Sequence, residues 1–129
     1  MVEKLKKMGF VGVGRCTEEE ISKAEKKLGF VFPKEYREFL IEFKAGDICG
    51  HELMGVGVMD YADTVYNTIE ERDNDVLFPK DCFVLENMGI EGLLVICDKD
   101  GKIYNYRIGK KELVSSSLSE YMDYCKTGA

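Results

Sequence analysis

The chain has 129 residues, 45% hydrophobic and 33% charged, with a net charge of −6. It is long enough to bury a core within one domain, and no apolar run approaches the ~20 residues of a bilayer crossing, so no transmembrane helix is expected. The charge is uneven: Gly46 to Asp98 carries two basic residues against twelve acidic ones, which makes nucleic acid a poor ligand there, because phosphates need cations.

In chain order, Glu3 to Met8 reads as a short helix. The N-terminus lacks a long apolar region and a small-residue cleavage site, so no signal peptide is expected. Gly9, Gly12 and Gly14 alternate with Phe10, Val11 and Val13 in a loop or irregular strand; a dinucleotide fingerprint would need a strand–turn–helix context that is missing. Thr17 and Glu20 form a capping box. Ile21, Ala24, Glu25 and Leu28 follow at helical spacing, and Gly29 suits a left-handed helix end. Pro33 fits the first position of a second helix. Tyr36, Phe39, Leu40 and Phe43 make one apolar stripe, and Gly46 is expected to close that helix.

Asp47 to Asp60 contains short strands interrupted by Gly55 and Gly57. Tyr61 to Asp73 reads as a helix with Ala62, Val65, Tyr66 and Ile69 on one side. Glu70, Glu71, Asp73 and Asp75 crowd its C-terminal end, where acids oppose the helix dipole. Phe83–Leu85 and Leu93–Cys97 are apolar enough for buried strands, linked by a hairpin loop over 87–92. Asp98 to Gly101 is a turn, and Ile103, Tyr104, Tyr106 and Ile108 continue as a strand. A last helix carries Leu118, Tyr121, Met122 and Cys125 on its inner side, with a capping box at Ser117 and Glu120 and a stop at Gly128. The order predicts an α+β fold: one domain over 1–129, with a single antiparallel or mixed sheet and an N-terminal helical hairpin, a middle helix and a C-terminal helix packed around it.

Chemistry-bearing patterns are sparse. Cysteines 16, 49, 82, 97 and 125 form no Cys-x-x-Cys pair, which argues against a zinc ribbon or thioredoxin-like motif and fits a reducing cytoplasm. Cys97 and Cys125 read as small core residues. The only histidine, His51, lies two residues from Cys49, and on a strand the two would face opposite sides. Asp98, Asp100 and Gly101 have the wrong spacing for a calcium loop. The paired acids lack the tryptophan platforms and facing geometry of a glycosidase. No cofactor or metal is expected. Tyrosine beside carboxylate does suit a protein interface.

The residues Ile21, Glu25, Leu28-Gly29, Pro33, Tyr36, Phe39-Leu40 and Ala45-Gly46 resemble the N-terminal signature of the SUKH superfamily, the Smi/Knr-type domains. Phe32 stands where that signature commonly has Leu before Pro33, and Lys44-Ala45-Gly46 replaces Asn-Gly-Gly. The resemblance implies an α+β domain with no catalytic motif. It also implies a bacterial immunity protein that neutralises a cognate toxin, often a nuclease. The alternative it leaves open is a regulatory or scaffold domain of the cell-wall-regulator type without a toxin. A small-ligand binder or hydrolase using Cys49 and His51 is the other alternative. On the immunity reading the protein is a cytoplasmic, non-enzymatic binder, a monomer or weak homodimer. Its acidic segment meets a basic toxin surface through Asp60, Asp63, Glu70, Glu71, Asp73 and Asp75, with Tyr61 and Tyr66 as anchors.

Overall fold

The computed structural model describes residues 1–127. The elements run α1 Val2–Met8, β1 Val11–Gly12, α2 Glu18–Leu28, α3 Lys34–Phe43, β2 Gly46–Ile48, β3 His51–Leu53, a 3-10 turn Asp60–Ala62, α4 Thr64–Asn74, β4 Cys82–Asn87, β5 Leu94–Asp98, β6 Ile103–Arg107, β7 Lys110–Ser115 and α5 Leu118–Thr127. The expected helix stop at Gly128 lies outside the described residues.

The N-terminal hairpin follows its sequence signals. Thr17 and Glu20 exchange both capping-box hydrogen bonds, and Gly29 ends α2 with φ 88°. Ile21, Ala24 and Leu28 are buried, as are Tyr36, Phe39, Leu40 and Phe43 of α3. Glu25, the charged residue on the α2 stripe, has a structural task. It accepts the Phe32 N–H at 2.7 Å and pairs with Arg37 at 2.8 Å, which fixes the α2–α3 connection. Two details differ from expectation. Pro33 caps α3 with extended backbone instead of occupying its first turn. Lys44, at φ 64°, reverses the chain after α3, so Gly46 opens β2 instead of closing the helix. A side chain at Gly46 would strike the Val11 carbonyl across the β1–β2 pair.

The single sheet expected from the sequence is replaced by two antiparallel sheets, ordered β1-β2-β3 and β4-β5-β6-β7. The reason lies at the outer edge of β4. The Thr64 hydroxyl donates to the Val84 carbonyl at 2.6 Å, and the Val84 N–H donates to the Thr68 hydroxyl at 2.9 Å. Met54 N–H, just past β3, takes the Leu85 carbonyl at 2.8 Å. Side chains of α4 thus stand where another strand would pair, and three-residue β3 stops short of extending the ladder. Thr64, Val65 and Thr68 are the buried residues of α4, so the face expected from Tyr66 and Ile69 is turned outward.

One face of the four-stranded sheet (Phe83, Leu85, Val95, Cys97, Ile103) joins α2, α3 and α5 in the main core. The Phe83 ring lies 4.6 Å from Tyr36 and 5.0 Å from Phe32, and Tyr36 donates its hydroxyl to the Met54 carbonyl at 2.7 Å. The other face, with Val84, Ile96 and Tyr106, packs on Phe78. β7 has four exposed residues in a row; this charged edge strand lacks the alternation that would reveal it in the sequence. Ile108, expected within a strand, is instead the first residue of a two-residue turn with Gly109, both at positive φ, as a type I′ hairpin requires.

Thr68→Val should leave the Val84 N–H buried without an acceptor and cost about 1–3 kcal/mol. Thr68→Ser should recover much of that loss in thermal denaturation; equal losses in both variants would remove the hydroxyl from the account. Glu20 is held below the ordinary carboxylate value of 4.5, first by the Thr17 N–H and then by Lys44. A group depressed on folding stabilises above its unfolded pKa and loses that contribution as pH falls through the folded value. Glu20→Gln should therefore flatten the fall in melting temperature below pH 4.5, and parallel curves for the two proteins would contradict this.

Candidate functional site

The eight sequence-predicted residues divide into two groups. Asp63 caps α4, accepting from the Val65 and Tyr66 N–H groups, and its other oxygen accepts from Gly57 N–H at 3.0 Å. Asp75 accepts the Tyr106 hydroxyl and, through its other oxygen, the Leu77 N–H at 2.9 Å. Both carboxylates are committed to holding the chain. Asp60, Glu70 and Asp73 are exposed and Glu71 is half-buried, its carboxyl raised above the ordinary range first by burial and then by Asp75 and Glu70.

The exposed members gather around two rings. Tyr66 and Glu70 are one turn apart on the outer face of α4. The Glu70 carboxylate first, and then the Asp60 charge, raise the Tyr66 hydroxyl above its ordinary pKa. Asn67 ties the Asp60 and Asp63 carbonyls to the helix, both at 2.8 Å, so the 3-10 turn is fixed against α4. Tyr61, on that turn, is 69% exposed and Tyr66 45%. Asp60, Tyr61, Tyr66 and Glu70 therefore share one surface. Asp73 and Glu71 lie further along α4; Arg72 between them turns inward, over the Phe30 ring and onto the Lys80 carbonyl.

Tyr61 and Met59 also line a groove of about 460 Å³ reaching to Val13 and the β2–β3 hairpin. Its rim carries Asp47 and Glu52, directly opposite each other across the strand pair and both exposed. Sequence reasoning missed this pair. The signal was there: Cys49-Gly50, both at positive φ, is a two-residue hairpin turn, and that turn places Asp47 against Glu52. Like charges directly opposite cost stability, and a cationic partner would relieve the cost.

A family model described as the SMI1/KNR4 family (SUKH-1) matches residues 15–124. The chain belongs to that family. No curated protein matches it. The SMI1/KNR4 match leaves out α1 and β1 and contains α2 to α4, strands β2 to β7 and most of α5, and therefore all eight candidate residues. Among the described residues, no helix is long and apolar enough to cross a membrane.

The Cys49–His51 alternative gains no nucleophile–base pair. Cys49 is exposed on the turn, whereas the His51 ring turns to the Glu86 carboxylate, 3.2 Å from both oxygens. Glu86 also accepts the Tyr121 hydroxyl. Its carboxyl is raised mainly by burial, which outweighs the opposing pull of those two partners. Burial likewise pushes the Cys16 thiol up to about 11 and those of Cys82 and Cys125 to about 12, so these three are poor nucleophiles.

Asp63→Ala should destabilise the protein by about 1 kcal/mol through loss of the α4 cap, measured by urea denaturation. Glu70→Ala, which removes an exposed carboxylate, should leave stability within about 0.5 kcal/mol. Equal losses would erase the distinction between structural and displayed acids.

Proposed function

We propose that this chain is an immunity protein: a non-enzymatic cytoplasmic binder that neutralises a toxin by covering a basic active-site surface. The observation that carries the reading is the exposed cluster of Asp60, Tyr61, Tyr66 and Glu70 beside the groove rimmed by Asp47 and Glu52. Membership of the SMI1/KNR4 family supports it, since the family includes immunity proteins.

The physical argument has two parts. A segment with ten more acidic than basic residues draws a cationic partner by long-range attraction and raises the association rate. Once docked, the two tyrosines provide large, stiff contact areas with polar tips, and the carboxylates occupy the positions that substrate phosphates would take in a nuclease cleft. Inhibition then needs no chemistry from the immunity protein, only occupancy.

The reading is tested by co-expressing the chain with a toxin encoded beside it and scoring growth. Wild type should rescue. Asp60→Lys with Glu70→Lys should weaken binding more than tenfold at low salt and reduce its salt dependence, as measured by calorimetry at several ionic strengths. Tyr61→Ala should cost about 2 kcal/mol of binding, roughly thirtyfold in Kd, without lowering the melting temperature. If the charge-reversed double variant binds as wild type does, the working surface is elsewhere. Absence of any neutralised toxin would favour the regulatory-domain alternative.

A further inference from the structure

His51 comes from β3, Glu86 from β4 and Cys125 from α5, and their ligating atoms all lie within 4.8 Å of one another. The β4 ladder explains how a glutamate reached this position. Val84 pairs with Ile96 but Glu86 pairs with Val95, so one extra residue bulges at Leu85. Strict alternation would send Glu86 to the face of Val84; the bulge leaves Leu85 in the main core and brings Glu86 onto the Tyr121 hydroxyl of α5. A carboxylate 3% exposed in a core is costly to keep.

We propose that His51, Glu86 and Cys125 form a zinc site with a fourth position open to solvent. The ligand types are those zinc takes: imidazole, carboxylate and thiolate. The His51 Nδ1 atom is 3.2 Å from each Glu86 oxygen. Two atoms bound to zinc at ~2.0–2.1 Å with a tetrahedral angle stand about 3.3 Å apart, so this edge of the tetrahedron is already set. Charge also balances: one carboxylate and one thiolate neutralise the dication, and the imidazole stays neutral. On binding, Nδ1 presents its lone pair to the metal with the ring proton on Nε2, and the Cys125 thiol releases its proton to solvent. The Tyr121 hydroxyl remains on Glu86 as an outer hydrogen bond that orients the carboxylate. The His51 side chain, 19% exposed, marks the entry path, and the open position lies on its side. The site joins the hairpin of one sheet, the bulge of the other and the last helix. Its three ligands are not among the residues proposed to bind a toxin, although Glu52 of the groove rim follows His51 on β3, and its test, metal binding, stands apart from that reading.

The metal-stripped full chain should bind one equivalent of zinc by calorimetry. One equivalent of cobalt(II) should give a thiolate-to-metal charge-transfer band with visible d–d bands. His51→Gln, at the only one of the three ligand positions that reaches solvent, should weaken zinc at least tenfold and abolish the rise in melting temperature that zinc gives wild type. Cys125→Ala should lose the charge-transfer band. Cys49→Ser, on the exposed turn, should retain both band and affinity. The assignment is overturned if wild type gives no cobalt spectrum at one equivalent, if His51→Gln binds zinc as wild type does, or if Cys49→Ser removes the band. Should Cys125→Ala fail to fold, the His51→Gln and Cys49→Ser pair decides.

Discussion

The outer edge of β4 is the constraint around which the molecule is arranged. A buried edge strand must satisfy the N–H and C=O groups on its open side or leave them unpaired. Here two threonine hydroxyls from α4 and one backbone amide after β3 do so. This choice separates the sheets, because the edge is already occupied. It also determines the orientation of α4: with Thr64 and Thr68 turned inward, Tyr66 and Glu70 face out. The outward display of Tyr66 and Glu70 is the reverse side of a backbone hydrogen-bonding solution.

The same arrangement explains what could be read from the sequence. The hairpin α2–α3 was legible because its signals are local: a cap, a left-handed glycine and an apolar stripe within thirty residues. The strands β4 to β6 were legible because their apolar runs are continuous. The number of sheets was not, since a threonine that closes a strand edge looks like any polar helix residue until the strand is in place. β7 was hidden for the opposite reason, being almost all surface. At the candidate site, the crowding of acids between Asp60 and Asp75 was visible. Which of them are free was not. Asp63 and Asp75 are consumed by caps and turns, a division set by backbone geometry. The facing of Asp47 and Glu52 depends on register, and the meeting of His51, Glu86 and Cys125 depends on a one-residue bulge that composition does not reveal.

The proposed binding surface and the proposed zinc site use different residues and draw on different physics. The proposed surface would work through exposed charge, which salt screens, and through aromatic area. The cluster works in a buried setting, where an unpaired carboxylate is costly and a cation is correspondingly favoured. Neither uses the α2–α3 stripe, whose residues supply the packing on which both rest.

The first and last helices lie against each other: the Lys4 ammonium pairs with Asp123 at 2.6 Å, and the Lys126 ammonium reaches the Met8 carbonyl at 3.1 Å. Contacts spanning more than a hundred residues form late, because the chain must first close that loop. During synthesis, α1 to α3 leave the ribosome well before α5 exists, with the Phe83 face of the sheet waiting for Tyr121 and Met122. Until those arrive, the part of the main core that Leu118, Tyr121, Met122 and Cys125 cover stays open. A truncation within α5 would therefore yield an arrested, sticky intermediate and not a slightly looser version of the same protein.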